Sequence, residues 1–137
     1  RLSKSRSFPI SILVMDMDNL KAINDQYGHQ AGDLALQHIA GIVKSCFRSE
    51  DVIARIGGDE IAVLLTGVDY QGVENAKARI NHAIQNHNQT RDTDIPLSVS
   101  IGCATAHAGE NLNEAFQKAD TAMYEEKKAR KKNNPAK

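Results

Sequence analysis

Residues 8–15, FPISILVM, form a nearly continuous apolar run in which Ile10, Ile12, Leu13 and Val14 leave neither face polar. Such a run predicts a central strand covered on both sides. Over 32–47 the period changes to that of a helix, with Leu36, Ile39, Val43 and Phe47 on one stripe. DVIARIG and EIAVLL read as two short strands around Gly57-Gly58, a hairpin whose glycines are expected to supply positive φ. VENAKARINHAI is again helical, with Val73, Ala76, Ile80 and Ile84 facing inward. A polar connector over 86–96 leads to LSVSIGCAT, whose alternation predicts a strand with one face better buried. The stretch 111–132 predicts a last helix with Leu112, Ala115, Phe116, Ala119 and Met123 inward and a basic end suited to the helix dipole. KKNNPAK reads as a frayed end or linker.

The predicted order is β-α-β-β-α-β-α: an α+β, ferredoxin-like (split βαβ) antiparallel sheet with helices on one face. Many unrelated functions use that arrangement, so site chemistry has to decide. At 137 residues the chain is one domain with room for a core. Seventeen basic residues balance seventeen acidic ones, so bulk charge offers no attraction for nucleic acid or a membrane surface. Cys46 and Cys103 have no metal-ligand spacing, which suits a reduced, cytoplasmic setting. No apolar stretch is as long as a membrane span. Because the chain opens RLSKSRSF without methionine, a longer parent is expected, in which an upstream anchor or sensor would not show in this sequence.

Acids then stand out beside flexible turns. Asp16 and Asp18 share a face at the end of the first strand, since side chains at i and i+2 point the same way. If that strand lies beside the hairpin, Asp16 approaches Asp59. Carboxylates so placed repel unless a cation lies between them, and oxygen ligands of this kind suit Mg²⁺ shared with substrate phosphates. The alternative is two solvated acidic turns that never meet.

DMDNLKAINDQYGHQAGD, RIGGDEI, LSVSIG and ADTAMYEEK occur in the order and at about the spacing of the GGDEF, or diguanylate cyclase, family, which the chain resembles over nearly its whole length. The resemblance implies a nucleotidyl-cyclase fold related to polymerase palms, and condensation of two GTP into cyclic di-GMP across a homodimer. It implies Mg²⁺, or Mn²⁺ in its place, held by Asp16, Asp59 and the Met17 carbonyl. Glu60 is then a metal ligand or a group near the attacking 3′-hydroxyl. Asn24 and Asp33 match positions that read guanine, whose N1 and N2 hydrogens a carboxylate can accept. Lys21, Lys127 and Lys131 match phosphate-contacting positions, Lys131 standing where an arginine is usual. Solvated lysines and a turn-capping Asn24 are the plainer alternatives.

Arg48 and Asp51 make an RxxD pair that resembles the family's product-inhibition site, with Arg79 on the next helix as a looser contributor. A surface ion pair is the alternative there. Ile61 replaces the usual phenylalanine of the signature, and Asn19 and Leu20 stand where aromatics are common. The family's opening LTGLxNR segment is absent from the sequence, and fusion to sensor or other signalling domains is expected. The rival to an enzyme is a GGDEF domain that binds GTP or cyclic di-GMP as a regulatory module.

Overall fold

A computed structural model describes residues 8–90 and 95–133. The opening RLSKSRS, residues 91–94 of the polar connector and the end of the basic tail lie outside the described residues. Four strands, β1 (Ile10–Met17), β2 (Val52–Arg55), β3 (Glu60–Thr66) and β4 (Val99–Ala106), form one antiparallel sheet in the order β2-β3-β1-β4. Among the described residues four helices accompany them: α1 (Leu20–Tyr27), α2 (His29–Ser45), α3 (Tyr70–Thr90) and α4 (Leu112–Asn133). The architecture is that of the expected palm-like antiparallel sheet with helices packed on it. Among the described residues, no helix is long and apolar enough to cross a membrane.

The helices do not share one face, and strand alternation explains why. Leu13, Met15 and Met17 of β1, Ile61, Val63 and Leu65 of β3, and Val99 and Ile101 of β4 point to one side. There they pack against Ile23 of α1, Ile39 and Val43 of α2, and Val73, Ala76, Ile80 and Ile84 of α3. The alternate positions, Ile12, Val14, Ala104 and Ala106, meet Ala115, Ala119 and Met123 of α4 on the opposite side. The first strand is thus covered on both faces, as its nearly continuous apolar run requires.

The α4 face is thin. A Cβ on Gly102 would lie 2.9 Å from the Ala122 carbonyl carbon and closer still to backbone atoms of Ala119 and Met123. Glycine at 102 and alanines along α4 therefore let the helix lie almost on the strand.

Three readings from periodicity need correction. The short helix α1 went unpredicted because only Ile23 along it is fully buried, too little for a periodic signal. Leu112 is exposed at the start of α4, outside the buried stripe. Gly57 and Gly58 do join β2 to β3, but neither has φ in the left-handed region, which Gly28, Gly67 and Gly109 occupy instead. A Cβ on Gly58 would meet nothing, so these glycines leave the hairpin tip bare rather than permit its turn.

Candidate functional site

One end of the sheet gathers the acids. Here β1 stops, the β2–β3 hairpin turns, β4 begins and the last turns of α4 arrive. Antiparallel register sets Asp16 opposite Glu60 on β3 and Ser100 on β4. The Met17 amide donates to the Asp59 carbonyl at 3.3 Å, and the Asp18 amide to the Ser98 carbonyl at 2.8 Å. The chain then turns through Asn19, whose left-handed φ of 63° is one that asparagine tolerates better than most residues.

Asp16 and Asp59 come together as expected. Burial, contact with the Asp59 carboxyl and the charges of Asp59 and Glu60 push the Asp16 carboxyl up to about 7, against a lowering pull from Lys127. Glu60 is also raised, first by burial and then by Asp120 of α4. Two adjoining acid pairs thus concentrate negative charge at the end of the sheet.

Asp18 plays a different part. It is 6 % exposed. Its carboxylate accepts from Ser98 Oγ at 2.6 Å, Ser100 Oγ at 2.7 Å and Lys127 Nζ at 3.3 Å. Lys127 also donates to the Met17 carbonyl at 2.8 Å and lies 3.8 Å from Asp16. The carbonyl expected as a third metal ligand therefore already accepts from an ammonium, with one lone pair left.

Among the described residues, the buried side-chain oxygens without a hydrogen-bond partner are Asp16 Oδ1 and Asn24 Oδ1. Buried polar atoms are nearly always satisfied, so each orphan calls for a cause. Asp16 Oδ1, next to a second carboxylate, fits a cation. No group of three or more His, Cys, Asp or Glu side chains that could hold a metal occurs among the described residues. The carboxylates present, those of Asp16 and Asp59, are of the kind Mg²⁺ takes before it completes its shell with phosphates and water.

Asn24 lies on α1 against Gly32 of α2, where any side chain at 32 would collide with its Oδ1. Asp33 follows on α2 and is exposed. Neither residue lines the cleft of about 660 Å³ that opens at this end of the sheet, which is lined among others by Lys21, Asp59, Lys127, Arg130 and Lys131. Lys21 pairs there with Asp25 at 3.0 Å.

The RxxD segment lies apart, in the turn before β2. The Asp51 carboxylate accepts from the Arg48 backbone amide at 2.9 Å, while the Arg48 guanidinium lies 3.7 Å from Glu50. Arg79 reaches the same turn, donating to the Cys46 carbonyl at 3.4 Å and stacking 5.8 Å over the Phe47 ring. Asp51 thus shapes the loop, and the two exposed arginines flank it.

The departures from the signature are accommodated. Ile61 is buried in the core, and Leu20 packs against that core from α1. Sequence reasoning noted Asp18 beside Asp16 without giving it a role, and missed Ser98, Ser100, Gly32, Asp120 and Arg130. Of these, Asp120 carried a signal: it stands seven residues before Lys127, two turns away on the same helical face.

The family model described as "Diguanylate cyclase, GGDEF domain" matches residues 1–133. Diguanylate cyclase A of Treponema denticola is 37% identical over 120 residues, covering 86% of this chain and 32% of that protein. The chain spans about a third or less of the length of the curated relatives it matches. Among solved structures, diguanylate cyclase SiaD in complex with its activator SiaC from Pseudomonas aeruginosa superposes with TM-score 0.81 at 26% identity, over 93% of this chain and 49% of that one. The GGDEF domain of DgcB from Caulobacter crescentus in complex with c-di-GMP gives TM-score 0.79 at 27% identity, over 88% of this chain and 72% of that one. Match length, motif order and fold agree, and the chain belongs to the GGDEF domain family of diguanylate cyclases.

Proposed function

We propose that this domain condenses two GTP molecules into cyclic di-GMP with release of pyrophosphate. The observation that carries the reading is the pair of orphaned buried oxygens, on Asp16 and Asn24. One is suited to a cation and the other to a donor edge such as that of guanine. Asn24 and Asp33 bind the base, and Lys21, Lys127 and Lys131 hold the phosphates.

Asp16 and Asp59, with the Met17 carbonyl, hold Mg²⁺, or Mn²⁺ in its place; when bound, the ion neutralises charge on the phosphoryl oxygens. Glu60, raised by burial and by Asp120, sits across from Asp16 and takes the proton of the attacking 3′-hydroxyl. Asp18 keeps Lys127 at the mouth of the cleft.

Each domain binds one GTP, so two must face each other as a homodimer for in-line attack. Anything that governs their approach governs activity, including fused sensor domains or a protein activator of the kind bound to SiaD. Arg48, Asp51 and Arg79 receive the product and inhibit. GTP in the cytoplasm is the substrate pool, and no nucleic acid is bound.

The test is GTP turnover at high protein concentration with Mg²⁺, products identified by mass, with Asp59→Asn alongside. Cyclic di-GMP from the parent and none from the variant is the expected result. A parent that binds GTP tightly and yields no cyclic di-GMP would overturn the enzymatic reading in favour of a nucleotide-responsive regulatory module.

A further inference from the structure

Of the cations expected to meet phosphate, two are already engaged within the protein. Lys21 is paired with Asp25 at 3.0 Å, and Lys127 is tied to the Met17 carbonyl and to Asp18. Arg130 is placed differently. It lines the same cleft, one turn beyond Lys127 on α4, with its side chain 43% exposed. Its nearest anions are Asp18, 3.8 Å from Nε, and Glu126, 4.0 Å from Nη2, both beyond hydrogen-bond distance. The guanidinium is therefore held in place electrostatically while its fork of N–H donors stays open. A second feature restrains the pair: Asp18 is buried and fixed by Ser98 and Ser100, and Glu126 accepts from the Ile101 amide at 2.5 Å.

We infer that Arg130 is the principal polyphosphate-binding residue of the cleft, gripping the GTP phosphates bidentately where the neighbouring lysines act only as point charges. The inference rests on the proposed GTP site and assigns its phosphate selectivity. Asp18 and Glu126 act on Arg130 as positioning residues, holding the guanidinium over the cleft. A planar fork matches two phosphate oxygens at once, which an ammonium cannot do.

The experiment is calorimetric titration of this chain with GTP and, separately, with GMP, using the parent, Arg130→Ala, Arg130→Lys and Lys128→Ala. Arg130→Ala is expected to weaken GTP binding roughly 10- to 100-fold, the scale of charge-assisted hydrogen bonds, and GMP binding less than about threefold. Arg130→Lys should recover only part of the loss, and Lys128→Ala should cost less than about threefold, since that lysine is exposed and does not line the cleft. Melting temperatures of all variants should stay close to the parent, because neither ion contact of Arg130 is within hydrogen-bond distance. GTP affinity of Arg130→Ala within twofold of the parent overturns the inference, as does full rescue by lysine or an equal loss of GMP. If the parent binds GMP but gains nothing from the added phosphates, the phosphate assignment fails while the base site stands. If it binds neither nucleotide, the GTP site itself fails.

Discussion

Gly102→Ala puts one methyl group between β4 and α4, and the outcome tests how closely the site depends on their contact. The new carbon would lie 2.9 Å from the Ala122 carbonyl carbon and nearer to the Ala119 oxygen and Met123 nitrogen, all backbone atoms that cannot turn aside. α4 must therefore move off the sheet by about 1 Å to restore ordinary contact, and a gap of that size forfeits up to about half of each dispersion well it opens. The atoms that lose contact are those of Ala115, Ala119 and Met123 against Ile12, Val14, Ala104 and Ala106. Overpacking of this kind costs about 1–3 kcal/mol, and the rigid backbone on both sides points to about 3. Urea unfolding followed by far-UV circular dichroism would show it as a midpoint lowered by about 1–2 M. Gly41→Ala is the control: a Cβ there meets nothing and lies within α2, so stability should rise by about 0.5–1 kcal/mol. Because α4 carries Asp120, Lys127, Arg130 and Lys131, the same shift should also depress GTP turnover by about 100-fold. A Gly102→Ala variant within 0.5 kcal/mol of the parent would refute the close approach and the argument built on it.

Three further outcomes are expected. Asp16 binds its proton more tightly in the folded chain than in the unfolded one, so metal-free stability should fall as pH rises from about 4 towards about 7. The span is at most roughly 4 kcal/mol; Asp16→Asn should flatten that slope in urea midpoints taken across the range, and an unchanged slope would show that Asp16 does not carry it. Asn19→Val, which forces a β-branched residue to φ 63°, should cost about 1–2 kcal/mol, whereas Asn19→Gly should be nearly neutral in thermal unfolding; equal losses would refute a conformational cause. Arg48→Ala should remove inhibition by added cyclic di-GMP at unchanged initial rate, since Arg48 lies outside the cleft; inhibition that persists would place the product elsewhere.

Four strands, three of the helices and the ordered acidic motifs were legible in the sequence because each rests on local rules. Period distinguishes strand from helix, and a nearly continuous apolar run in β1 announces cover on both faces. The same rules could not say which helix covers which face. That was decided by small residues meeting across space, Gly102 and Ala104 on β4 with Ala115 and Ala119 on α4, eleven or more positions apart in the chain. The glycine pair at 57–58 was correctly placed in a hairpin and misjudged in its reason, because φ is settled by the register of the whole turn and not by composition.

At the site, sequence alone determined which residue types were present: carboxylates at 16, 59 and 60, an amide at 24, and cations along the last helix. Tertiary structure decided what each can do. Asp16 and Asp18 are chemically identical and two residues apart. Yet Asp16 faces Asp59 and keeps an unsatisfied oxygen, while Asp18 is saturated by Ser98, Ser100 and Lys127. Lys127 and Arg130 likewise differ in which of their donors the fold has already used. A side chain's type belongs to its own position, but its spare hydrogen-bonding capacity and its field are sums over neighbours that only the folded chain brings near.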